Sequence, residues 1–136
     1  MGGARVPIIV VDTSIVIAFR EPADAHHAQA VAAFTRHHQV DELVLPASAY
    51  AEALVGPFRR GPASVASFDR FIADLAVRVE PLTREIARQA AHLRSRHVSL
   101  RLPDALILTT ADVLDAAAVL TADAAWPKVS QRVSVI

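Results

Sequence analysis

The run Ile8-Ile9-Val10-Val11 breaks off at Asp12-Thr13-Ser14. Four consecutive β-branched apolar residues have the pattern of a strand buried on both faces. A carboxylate directly behind it therefore stands at the sheet edge. Outward from this strand, a short helix is expected over about residues 14–19. Asp24 is placed to cap a longer helix in which Ala30, Val31 and Phe34 recur at helical spacing. Leu43 to Leu45 reads as a second strand, stopped by Pro46. A helix over residues 47–55 should then be closed by Gly56-Pro57.

Beyond Gly61-Pro62, the residues Val65, Phe68, Ile72 and Leu75 mark one face of an amphipathic helix, and Val77 and Val79 suggest a third strand. Thr83 is positioned to cap a helix with the stripe Ile86, Ala90 and Leu93. Pro103 opens another helix running to about Asp115. Ala117 to Leu120 reads as a fourth strand and Val133 to Ile136 as a fifth. Strands separated by helices predict an α/β fold with a central, mostly parallel sheet of about five strands between helical layers.

The 136 residues suit one domain with a single core. At 53% hydrophobic and 21% charged the chain is not intrinsically disordered. Fourteen Lys and Arg against fourteen Asp and Glu leave no global basic field, so any nucleic-acid contact must be local. The absence of cysteine excludes a disulfide scaffold, a thiolate zinc site and a cysteine nucleophile. The apolar stretch from Val6 to Val11 is too short to span a membrane, so a soluble, cytoplasmic protein is expected. Lys128 is the only lysine among mostly arginine cations, which fits a GC-rich coding sequence.

In a parallel sheet, ligands bind at the carboxyl ends of the strands. Asp12 follows the first strand, Glu52 lies among Ala49, Ala51 and Ala53 after the second, Asp104 begins the helix opened by Pro103, and Asp123 follows the fourth strand. Clustered like charges are costly unless a cation bridges them, and no lysine lies near them in sequence. An all-oxygen donor set selects Mg²⁺ or Mn²⁺. Taken singly, each residue also has a structural reading. Asp12 could cap a helix, Asp104 could favour a helix N-terminus, Asp123 could organise a turn, and Glu52 could be a solvated side chain.

In order along the chain, Asp12-Thr13-Ser14, Tyr50-Ala51-Glu52-Ala53-Leu54, Pro103-Asp104-Ala105-Leu106-Ile107 and Leu120-Thr121-Ala122-Asp123-Ala124-Ala125-Trp126 resemble a PIN-domain ribonuclease. More narrowly they resemble a VapC-type toxin of a type II toxin-antitoxin system. The family commonly has Phe where Trp126 stands. The resemblance implies a three-layer α/β/α PIN-like nuclease domain over residues 1–136. It also implies a Mg²⁺-dependent endoribonuclease, with Mn²⁺ as substitute, whose catalytic and metal-binding residues are Asp12, Glu52, Asp104 and Asp123. Ser14 and Thr121 would give polar support, and a cognate antitoxin and a homodimer would be its protein partners.

Arg59, Arg60 and Arg101, with Arg94, Arg96 and His97 nearby, are candidate RNA phosphate contacts, or else a solvated basic face. The pairs His26-His27 and His37-His38 point different ways around a helix, so they read as exposed or interhelical rather than metal-binding. The apolar faces at Val31 to Phe34 and Val65 to Leu75 read first as core. A haloacid-dehalogenase-like phosphotransferase would need Asp where Ser14 stands, and a receiver domain would need a lysine after a late strand, where Lys128 is misplaced. A PIN-like module that binds RNA or a partner without cleavage, or a housekeeping RNA-processing nuclease, stays open as an alternative.

Overall fold

A computed structural model of the chain describes residues 5–136. The first apolar run is β1 (Ile8–Val11), followed by α1 (Thr13–Arg20), α2 (His27–His37), β2 (Glu42–Pro46), α3 (Ala47–Arg60), α4 (Pro62–Asp74) and β3 (Arg78–Glu80). Then come α5 (Arg84–Arg96), α6 (Leu102–Val113), β4 (Ala118–Thr121), a 3₁₀ turn (Trp126–Lys128) and β5 (Val133–Val135). The strands form one sheet in the order β3-β2-β1-β4-β5, every neighbouring pair parallel.

With the right-handed sense that parallel crossovers take, this order carries the helices from β1 to β3 over one face and those from β3 to β4 over the other, giving three layers. β1 is central because it is apolar throughout. Ile9, Val10 and Val11 are buried between β2 and β4, registered against Leu43 and Val44 on one side and Ala118, Val119 and Leu120 on the other. Successive strands are added on one side of β1 up to β3 and on its other side from β4, so the strand order switches between β1 and β4 and the crevice for a ligand opens at their carboxyl ends.

Four local expectations are corrected. α3 does not stop at Gly56-Pro57 but continues to Arg60. Pro57 forfeits a helical N–H bond, yet Gly56 has no Cβ to meet the proline ring, which relaxes the usual bar on helix before proline. Pro57 is itself buried, and its carbonyl accepts from the Gly61 amide at 3.0 Å. The true break is Gly61, whose φ of 121° and ψ of 177° lie in a region open essentially to glycine, and Pro62 then starts α4.

Asp24 does not cap α2. It accepts from the His26 amide at 2.8 Å and closes the turn one step earlier. On α4, Phe71 is buried where Val65 is only half-buried, because it joins Phe19, Phe34 and Phe68, with ring centroids 5.3–5.9 Å from its own. Finally, α6 ends at Val113, and Asp115 turns the chain with a positive φ of 51°.

Other signals match their elements. The Thr83 hydroxyl accepts from the Ile86 amide at 3.2 Å and caps α5, whose Ile86 and Ala90 are buried. His27 Nδ1 donates to the Ala18 carbonyl at 2.8 Å, tying α2 to α1, and His37 pairs with Asp41 at 2.6 Å. No helix among the described residues is long and apolar enough to cross a membrane.

Candidate active site

Asp12 is carried into the crevice by β1 and stays there because the chain turns at once into α1. The residue is buried, at 7% exposure. Two hydroxyls donate to Oδ2, from Ser14 at 2.8 Å and Thr121 at 2.9 Å. The same hydroxyls accept from the main chain of the β4 turn. Ser14 Oγ receives the Ala122 amide at 3.2 Å and Thr121 Oγ1 the Asp123 amide at 3.0 Å. This relay ties the ends of β1 and β4 together across the crevice. No side chain among the described residues donates to Asp12 Oδ1.

Burial raises the Asp12 carboxyl above its ordinary value, the hydroxyls and the Thr13 amide pull it down, and the negative charge of Asp104 adds to the rise. Asp104 stands in the first turn of α6, half-buried, facing the same crevice. Arg101, at the cap position of α6, reaches it through long contacts of 3.4 and 3.5 Å while remaining 75% exposed. Asp104, then Glu52 and Asp12, all raise the Arg101 pKa, so the three carboxylates share one electrostatic neighbourhood around this guanidinium. The acidic group, with no lysine near it in sequence, thus meets a cation at Arg101. The cation is an arginine three residues from Asp104, not a lysine.

Glu52 projects from α3 into a cavity of about 210 Å³. It is exposed and makes no hydrogen bond or ion pair with another described residue. Asp123 is exposed as well. Its Oδ1 accepts from the Ala125 amide at 2.9 Å, so it organises the turn after β4 while standing beside the relay. Among the described residues no three acidic or imidazole side chains come close enough to enclose an ion unaided. That does not conflict with the donor chemistry, because Mg²⁺ keeps several waters and is ordinarily held by one or two carboxylates together with substrate phosphate.

The candidate RNA contacts separate. Arg60 lines the cavity that holds Glu52, whereas Arg59 borders a shallower apolar groove on another face of α3, beside Tyr50, Val55 and Phe58. Arg20 was missed by sequence reasoning. It closes the same cavity, and its guanidinium is fixed by the Ser67 carbonyl at 3.3 Å and hydroxyl at 3.2 Å. Nothing near Arg20 in sequence signals this, since Ser67 lies 47 residues away.

Solved structures share this architecture. The VapC20 toxin of Mycobacterium tuberculosis, described as cleaving the sarcin-ricin loop, superposes with a TM-score of 0.75 at 21% identity, over 88% of this chain and 93% of that one. A toxin-antitoxin complex from Klebsiella pneumoniae gives 0.72 at 20% identity, over 93% and 96%. FitAcB from Neisseria gonorrhoeae gives 0.73 at 20% identity, over 94% and 96%. At these identities the likeness establishes the fold. No curated protein matches the chain. The family model for the PIN domain matches residues 9–131, from β1 to beyond the 3₁₀ turn, and on that extent the chain belongs to the PIN domain family.

Proposed function

We propose that the chain is a Mg²⁺-dependent endoribonuclease, with Mn²⁺ as substitute, that hydrolyses RNA phosphodiester bonds as the toxin of a toxin-antitoxin pair. The observation that carries this reading is Asp12. A desolvated carboxylate at the switch point, oriented through one oxygen and faced by Asp104, is a costly arrangement that a bound cation relieves.

Asp12 and Asp104 would hold the ion, with Glu52 and Asp123 acting directly or through water. When bound, a hard divalent ion lowers the pKa of water and neutralises phosphoryl charge. Ser14 and Thr121 keep Asp12 from rotating. Arg101, exposed and weakly held, exchanges the Asp104 carboxylate for a phosphate oxygen of the arriving RNA. Several structural relatives are complexes of toxin with antitoxin, which supports a cognate antitoxin as partner. The exposed apolar residues Val55 and Phe58 on α3 offer a surface for a homodimer.

The purified chain should cut single-stranded RNA with Mg²⁺ or Mn²⁺ and not with EDTA. RNA binding without cleavage under all these conditions would overturn the nuclease reading in favour of a binding module.

A further inference from the structure

On α3, Glu52, Gly56 and Arg60 follow at intervals of four and so share one stripe of the helix. Gly56 leaves room for Arg60 to turn back along it. A Cβ there would lie 3.2 Å from one terminal nitrogen of the Arg60 guanidinium. The guanidinium thus rests against bare backbone, in the cavity whose other wall is Val16 and Arg20 of α1. Arg20 is held in place by Ser67 and lies over the Phe68 and Phe71 rings, 5.3 Å from each centroid.

Neither arginine has a carboxylate within ion-pair distance among the described residues, although Glu21 and Glu52 border the cavity. Burial, and after it the charge of Arg60, lower the Arg20 pKa, so the two cations feel one another. Two mutually repelling guanidiniums, one rigidly braced, are a cost in the free protein that an anion between them removes.

We propose that this cavity is a subsite for a backbone phosphate of RNA next to the one being cleaved, bound between Arg20 and Arg60. The inference rests on the ribonuclease reading above. A chain with no net charge and an acidic reaction centre repels a polyanion at the point where it must bind it. Affinity must come from local cations beside that centre, and this pair is joined to it through Glu52 on the same helix stripe.

The test uses the full chain carrying Asp104→Asn, in Mg²⁺, and a fluorescent single-stranded RNA 12-mer followed by anisotropy. Arg60→Met should weaken binding about tenfold and reduce the slope of log affinity against log salt by about 0.7, the value for one phosphate contact on a single strand. Ser67→Ala, which removes the hydroxyl contact to Arg20 while leaving the carbonyl contact and the charge in place, should cause a smaller loss, and thermal melts establish that each variant is folded. Arg36→Met removes an exposed charge on α2 and serves as the control.

Equal affinities and salt slopes for Arg60→Met and Arg36→Met would overturn the subsite. So would a hexaglutamate peptide that binds in an Arg60-dependent way while RNA binding is unaffected, since the cavity would then serve an acidic protein segment. With Asp104 intact, Arg60→Met should raise KM for cleavage and leave kcat nearly unchanged. If the intact chain cleaves no RNA, the nuclease reading fails, and the anisotropy result still decides whether the cavity binds RNA.

Discussion

Asp12, on the β4 side of the crevice, is buried and locked through two hydroxyls that are themselves fixed by main-chain amides. Glu52, on the α3 side, is exposed and bonded to no described residue. One side of the site is built as core and the other as surface. Where orientation has to be held against solvent, a PIN domain spends buried polar groups on it. On the α3 side, where no orientation is held, it leaves Glu52 free to move.

The largest expected effect divides the two sides by activity. Asp12→Asn or Asp104→Asn should lower metal-dependent cleavage at least about a hundredfold, as loss of a preorganised electrostatic group does. Mn²⁺ should raise the melting temperature of the wild type and leave both variants nearly unmoved. Cleavage by Asp104→Asn at the wild-type rate would remove the catalytic assignment.

The next effect is on stability. Thr121→Val deletes the donor to Asp12 Oδ2 and the acceptor of the Asp123 amide, and should cost about 1.5–3 kcal/mol in urea unfolding. Glu52→Gln should fall within about 0.5 kcal/mol of wild type, as exposed substitutions do. Equal losses from the two variants would erase the contrast between the sides.

A third effect separates them by pH. Burial is the main reason the folded Asp12 pKa lies above 3.8. In the window between 3.8 and that higher value the folded state holds more protons than the unfolded one. Stability therefore falls as pH rises through the window, and the loss persists at neutral pH. Asp12→Asn should make the metal-free protein more stable than wild type at pH 7, with the advantage shrinking as pH falls towards 3.8 in thermal melts. Were Asp12 a helix cap, the same variant would instead lose stability at pH 7.

The strand ends were legible in the sequence because they rest on local facts. A β-branched run stopped by Asp12, or one stopped at Thr121-Ala122-Asp123, puts its polar residues at a sheet edge whatever the rest of the chain does. The α3 side was less so. Gly56-Pro57 reads locally as a stop, yet the helix continues, and its stripe of Glu52, Gly56 and Arg60 exists only because it does. Arg20 depends on Ser67, and Phe71 on rings from α1 and α2, and no local pattern encodes such distant pairings. Arg101 lay in plain view beside Asp104, but its pairing required knowing that it precedes α6 in extended conformation.

The smallest effect tests how completely the built side is satisfied. Trp126 follows the Asp123 turn, its amide donating to the Asp123 carbonyl at 3.3 Å, and its ring is buried at 2% exposure. Its indole Nε1 has no hydrogen-bond partner among the described residues. A buried orphan donor costs about 1–3 kcal/mol, whereas trimming a buried aromatic loses packing of comparable size. Trp126→Phe removes the orphan and part of the ring together, so the two terms oppose and the net change should stay within about 1 kcal/mol. Trp126→Leu gives up the aromatic shape as well and should be clearly worse. A loss above about 2 kcal/mol for Trp126→Phe in urea unfolding would mean that Nε1 is bonded in solution, and that the wall carrying Asp123 is as fully satisfied as the relay at Asp12.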